Sequence, residues 1–308
     1  MLETLTVIEF ESNCPKANGQ NDTKTKTKPL FRIIRVYSPP VNIELTGTPE
    51  TAALLAFHNV SVMLGDKQVL HEITLRIEAG EHVAILGPNG CGKSTLIKTI
   101  TRECYPLGRS DSSLTIFGRE IWNVFELRPL LGIVSNDLMR RCTREITGRE
   151  MLLSGFFSSI GIQPYHEVTA AMIEKTNQVL ELLEVPHLAD REMTEMSSGE
   201  AHRLLIGRAL VHDPLALLLD EPSNSLDFRA ALELRDILRK LAQTGTGILM
   251  VTHHLPDILP EIDRVILLRQ GRVFADGPKT QLLTTERLTG LFGLPVELAR
   301  RDGYYHLW

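Results

Sequence analysis

The chain has 308 residues, 43% of them hydrophobic, which allows a sizeable core in one large domain or two small ones. Its 33 basic and 38 acidic residues give a formal charge of −5, without the basic signature that nucleic acid or an anionic membrane surface would select. No apolar run approaches the roughly 18–20 residues a membrane-spanning helix needs, and the first residues lack the basic-then-apolar order of a secretory signal. Cys14, Cys91, Cys104 and Cys142 show no C-x-x-C spacing, so reduced thiols in a cytosolic protein are the expectation.

Residues 1 to about 53 alternate Thr and Lys from Thr23 to Lys28, carry Pro39-Pro40 and hold scattered Asn, Gly and Gln. That composition predicts weak order. A flexible extension is the leading reading; short strands over 4–10 and 30–37, a small docking element, or a start placed upstream of the true domain are the alternatives. From Leu54 the pattern sharpens. Residues 54–64 and 68–78 read as strands joined by Gly65-Asp66-Lys67, an antiparallel β layer.

Residues 81–86 read as a short buried strand, and residues 95–102 as a helix. Between them, Gly87-Pro88-Asn89-Gly90-Cys91-Gly92-Lys93-Ser94-Thr95 fits the phosphate-binding pattern G-x-x-x-x-G-K-[ST] in its strand–loop–helix context. The glycines let consecutive N–H groups turn inward around an anion, and the helix start adds its positive end. Lys93 would reach the β- and γ-phosphates, and the Ser94 hydroxyl would bind Mg²⁺. Cys91, inside the loop, reads as a small filler residue.

Residues 113–118 read as a strand and turn, and 131–136 as a strand with a polar end at Asn136. Residues 146–196 are mostly helical in pattern, with apolar positions at helical spacing over 168–183, which predicts a helical insert. Ser197 and Glu200 have capping-box spacing ahead of a helix over 201–211, so Ser197, Ser198 and Gly199 would expose N–H groups and hydroxyls at its start. The apolar run 215–219 predicts a central parallel strand buried on both faces, ending in Asp220-Glu221 at the carboxyl edge where ligands of such sheets sit. Asp220 would hold Mg²⁺ through its water shell, and Glu221 would polarise the attacking water. Residues 223–227 lead into a helix over 228–241. A strand over 246–252 ends at His253-His254, placing His253 near the γ-phosphate. Strands over 262–268 and 271–274 follow, and residues 282–308 yield no assignment.

In order and spacing, these motifs resemble the ATP-binding cassette (ABC) family over residues 54 to 283. Residues 87–95 resemble its Walker A and 215–220 its Walker B. Glu221 falls on the catalytic glutamate, 223–227 with Asp227 on the D-loop, and His253 on the switch histidine. Met196-Ser197-Ser198-Gly199-Glu200 falls on the signature, usually Leu-Ser-Gly-Gly-Gln, and Asn136 on the glutamine of the Q-loop. The resemblance implies an α/β fold: a P-loop NTPase core with a mixed sheet, an antiparallel β layer and a helical subdomain at about 140–200. The ATPase domain would span 54–285, with 286–308 as a tail. It further implies ATP and Mg²⁺, the ion held by Ser94, Asn136 and Asp220, with Lys93, Glu221 and His253 catalytic.

Two cassettes of the family pair head to tail, so Ser197, Ser198, Gly199 and Glu200 would act in trans within a homodimer or a paired cassette. Separate transmembrane permease subunits would dock on 140–196, and no nucleic acid is expected. The chain would be cytoplasmic, peripheral on the cytoplasmic face of the membrane. Three positions depart from the pattern. Leu64 stands where relatives often stack an aromatic ring on adenine, Asn136 is one methylene shorter than glutamine, and Ser198 replaces a signature glycine. Relatives with such variations include ATPases of molybdenum- and iron-handling type. A cassette ATPase without a membrane partner, of cofactor or metal-cluster assembly type, is the alternative. A module that binds ATP without turnover is a third reading, against which Lys93, Asp220, Glu221 and His253 argue.

Overall fold

The computed structural model describes residues 53–308; the readings made for residues 1–52 lie outside them. Strands β1 (Ala53–Leu64) and β2 (Lys67–Glu78) form an antiparallel hairpin with Leu64 opposite Lys67 across the turn. Every second residue near the end of β2, Ile73, Leu75 and Ile77, is buried, the alternation of a strand with one covered face. After β3 (His82–Leu86) and α1 (Lys93–Ile100), β4 (Ser113–Ile116) pairs antiparallel with β1, completing the layer β2-β1-β4.

The chain continues through α2 (Val124–Leu127), β5 (Leu131–Ser135), α3 (Asn136–Cys142), α4 (Gly148–Phe156), α5 (Ala170–Leu182) and α6 (Ser198–Leu210). Asn136, placed at a strand end by the sequence pattern, is instead the first residue of α3, because the Ser135 hydroxyl caps that helix by accepting from Leu138 N. Then come β6 (Ala216–Asp220), α7 (Phe228–Ala242), β7 (Gly247–Thr252), β8 (Arg264–Arg269) and β9 (Arg272–Pro278). After α8 (Lys279–Leu282), the residues left unassigned by the sequence form α9 (Thr285–Phe292) and a hairpin of β10 (Leu298–Arg301) and β11 (Tyr304–Leu307). Leu288, Leu291 and Tyr305 anchor them in the main core.

The larger sheet runs β5-β6-β7-β3-β8-β9, parallel throughout except for β9. Its central strands are covered on both faces, so β6 and β7 read as unbroken apolar runs rather than alternating ones. One face packs on α1 and the antiparallel layer, the other on α4 to α7. Parallel register brings the strand ends together: Leu86 pairs with Thr252, Ser135 with Asp220, and Asp220 with Val251. The turns that carry Lys93, Asn136, Glu221 and His253 leave from this one edge.

Candidate active site

The phosphate-loop pattern occupies the turn from β3 to α1. Gly92 caps α1 at φ 109°, a left-handed conformation that disfavours a side chain. The loop is fastened from behind: Gly271 N, in the β8–β9 turn, donates to Cys91 O at 2.8 Å, and Gly271 O accepts from His71 N of β2 at 2.8 Å. Cys91 is buried beneath the loop, and burial pushes its thiol up, as suits a filler residue. Asn89, Gly90 and Ser94 lie exposed on the loop surface, with Pro88 half-buried and Thr95 buried.

Lys93 is only 6% exposed; its Nζ donates to Gly87 O at 2.9 Å and Pro88 O at 3.2 Å. The same ammonium lies 3.6 Å from Glu221 Oε1. Glu221 leaves β6 at φ 48°, a left-handed turn rare for a side-chain-bearing residue, with its N–H donating to Val251 O at 2.7 Å. That turn directs its carboxylate across the sheet edge, where Oε1 accepts from His253 Nδ1 at 2.9 Å. Asn136 Nδ2 lies 3.5 Å from Glu221 O. Turns from β3, β5, β6 and β7 thus converge around one glutamate.

Asp220 ends β6 beside this group. Burial pushes its carboxyl up to about 6, the Glu221 charge adds to the rise, and Lys93 opposes it. Ser94, Asp220 and Asn136 offer a hydroxyl, a carboxylate and an amide oxygen, the hard donors that magnesium accepts. Among the described residues no group of three or more His, Cys, Asp and Glu is placed to hold a metal by itself. A cation facing Asp220 would relieve its poorly solvated charge.

Ser197 caps α6 with a full capping box: its N and Oγ each donate to Glu200 Oε2 at 2.8 Å, and Glu200 N donates back to Ser197 Oγ at 3.3 Å. Burial alone would raise Glu200, yet the Ser197 hydrogen bonds and nearby Arg191 and Arg203 hold it below the usual range. Ser198 begins the helix, exposed, and Gly199 abuts α7, where a Cβ would stand 2.6 Å from Ala230 Cβ. Among the described residues no hydrogen bond or ion pair joins 197–200 to Lys93, Asp220, Glu221 or His253. Asp227 caps α7 through Ala230 N at 2.8 Å.

Leu64, at the end of β1, is 52% exposed. Sequence reasoning gave no role to His254, whose ring lies tilted at 41° with its centroid 3.8 Å from that of His253, and missed Asp257, which accepts hydroxyl hydrogens from Ser223 and Thr252. The signal for Asp257 was a carboxylate set among Leu255, Ile258, Leu259 and Ile262, since a buried charge requires partners. No helix of the described residues is long and apolar enough to cross a membrane.

The family model described as ABC transporter matches residues 70–224. The ABC transporter ATP-binding protein YlmA of Bacillus subtilis (strain 168) is 34% identical over 250 residues, 80% of this chain and 93% of that protein. The hemin import ATP-binding protein HmuV of Bradyrhizobium diazoefficiens is 30% identical over 262 residues, 82% of this chain and 93% of that protein. The crystal structure of the ADP conformation of MJ1267, an ATP-binding cassette of an ABC transporter, superposes with a TM-score of 0.64 at 26% identity. That match covers 75% of this chain and 93% of the other. With the phosphate loop, the strand-end carboxylates and the histidine on one sheet edge, the chain belongs to the ABC transporter family, as one of its ATP-binding proteins.

Proposed function

We propose that this chain binds and hydrolyses ATP to power an ABC membrane transporter, through ATP-dependent closure of two cassettes. The observation that carries the reading is the meeting of Lys93, Glu221 and His253 within 3.6 Å of one carboxylate oxygen. The loop N–H groups and Lys93 hold the β- and γ-phosphates. Glu221 accepts a proton from water as the water oxygen attacks the γ-phosphorus and the bond to ADP breaks. His253 orients Glu221 and meets a γ-phosphate oxygen. Magnesium, when bound, would supply neutralisation of phosphate charge, and Ser94, Asn136 and Asp220 are the residues that would hold it.

Ser197 and Gly199 clamp the γ-phosphate held by the second cassette, which makes each site dependent on two chains. The chain works on the cytoplasmic face of the membrane, with separate permease subunits docked on the helical insert. The likeness to a hemin import protein supports import as the direction.

Glu221→Gln tests this. The parent chain should release phosphate only with Mg²⁺, and the variant should retain ATP while turnover falls about 10²–10⁴-fold. Light scattering should then show the variant shifting from monomer to dimer on adding ATP and Mg²⁺. A variant that hydrolyses like its parent removes Glu221 from the role of base. ATP bound with no phosphate release by the parent makes the chain a binding module instead.

A further inference from the structure

We propose that Asp257 is a positioning residue for hydrolysis, braced from outside by the C-terminal hairpin through Tyr304 and Arg235. The inference rests on the reading that Glu221 and His253 act on ATP. Asp257 is 3% exposed and ends the single 3-10 turn Leu255–Asp257 that follows the two histidines. Its Oδ2 accepts from Ser223 Oγ at 2.8 Å and from Thr252 Oγ1 at 2.9 Å. Ser223 lies two residues after Glu221, and Thr252 directly precedes His253. One carboxylate oxygen therefore ties together the two loops that carry the base and the histidine.

The other oxygen faces α7, where Arg235 Nη2 lies 3.8 Å from Oδ1. The Arg235 guanidinium in turn sits 5.7 Å over the ring of Tyr304 on β11. The hairpin meets this segment again at its turn, where Gly303 packs on Pro260, and Arg239 of α7 pairs with Glu261 at 2.8 Å. A carboxylate buried this deeply is costly without its donors, so the two hydroxyls and the guanidinium are held to it. Sliding either loop breaks at least one charge-assisted bond. The 2.9 Å contact of Glu221 with His253 is thus fixed by a tie outside the reacting pair.

The test uses the full chain with Asp257→Asn, Ser223→Ala and the double variant. Steady-state phosphate release, equilibrium ATP binding and amide hydrogen exchange are measured for each. The expected result is kcat lower by about ten-fold, the effect of one lost charge-assisted hydrogen bond, with ATP affinity within about two-fold. Exchange should quicken in residues 221–228 and 252–258 while β3 and α6 keep their protection. The double variant should be no worse than the poorer single, because both cut the same tie. Tyr304→Leu should reproduce the pattern more weakly. Unchanged exchange in both segments, additive losses, or a uniform rise in exchange across the chain each overturn the proposal. If Asp257→Asn does not fold, Ser223→Ala, which leaves the Arg235 and Thr252 contacts in place, decides it. A parent chain without turnover overturns the hydrolytic reading, and the exchange pattern then decides the tie by itself.

Discussion

Asp220→Asn should make the chain more stable and its nucleotide site worse. The carboxyl is raised from an ordinary 3.8 to about 6, by burial first and by Glu221 second. At about 1.36 kcal/mol per pH unit that gap is worth about 3 kcal/mol of disfavoured charge. The group is partly open to solvent, and screening reduces the figure to about 1–2 kcal/mol. The sign follows from proton binding: between pH 3.8 and about 6 the folded chain holds the proton more tightly than the unfolded one, so the parent loses stability as pH rises through that window. Asparagine keeps the shape without the charge. In urea unfolding without nucleotide, the two proteins should differ little near pH 4, and the variant should lead by about 1–2 kcal/mol above pH 6. Added ATP and Mg²⁺ should stabilise the parent and not the variant. A variant no more stable than its parent at pH 7 refutes the account of Asp220 as a strained anion.

Lys93→Ala removes the ammonium from the loop and should weaken nucleotide binding by at least about ten-fold in a fluorescence titration; parental affinity would exclude Lys93 from the phosphates. Gly199→Ala sets a methyl 2.6 Å from Ala230 Cβ and should cost about 1–3 kcal/mol in thermal unfolding. Adding Ala230→Gly should restore stability, and failure to do so would place the strain elsewhere. His202 and His212 are held below the ordinary 6.5 by burial, with Nδ1 of one against Ser198 O and Nε2 of the other against Gly155 O. The unfolded chain therefore protonates first, and stability present above pH 6.5 is lost as pH falls below it. The double variant His202→Gln with His212→Gln should show a shallower acid loss than the parent; identical slopes would refute burial of neutral imidazoles as the cause.

Much of this was legible in the sequence because the decisive signals are local. The phosphate loop announces itself within nine residues, and the run Ala216–Leu219 is apolar because both faces of β6 are covered. What was not legible depends on distant parts of the chain meeting. Nothing in the sequence sets Lys93 beside Glu221; parallel register does that, by aligning Leu86 with Thr252 and Val251 with Asp220. Asn136 was misplaced by one element because a strand end and a helix start share the residue pair Ser135-Asn136, and only the cap decides between them. The tail escaped assignment because β10 and β11 are four residues each, too short for an alternation to stand out.

The bond from Gly271 N to Cys91 O, continued from Gly271 O to His71 N, makes the phosphate loop the anvil of this protein rather than a moving part. Its Cys91 carbonyl is held from the rear by the β8–β9 turn, which β2 of the other sheet holds in its turn, so less ordering entropy is left for a nucleotide to overcome on arrival. Binding energy not consumed there remains available to displace whatever is less firmly seated. Helix α3 begins at Asn136, whose amide lies beside Glu221, and leads to α4, α5 and α6, so the chain runs straight from the strand-edge site into the helical face of the molecule.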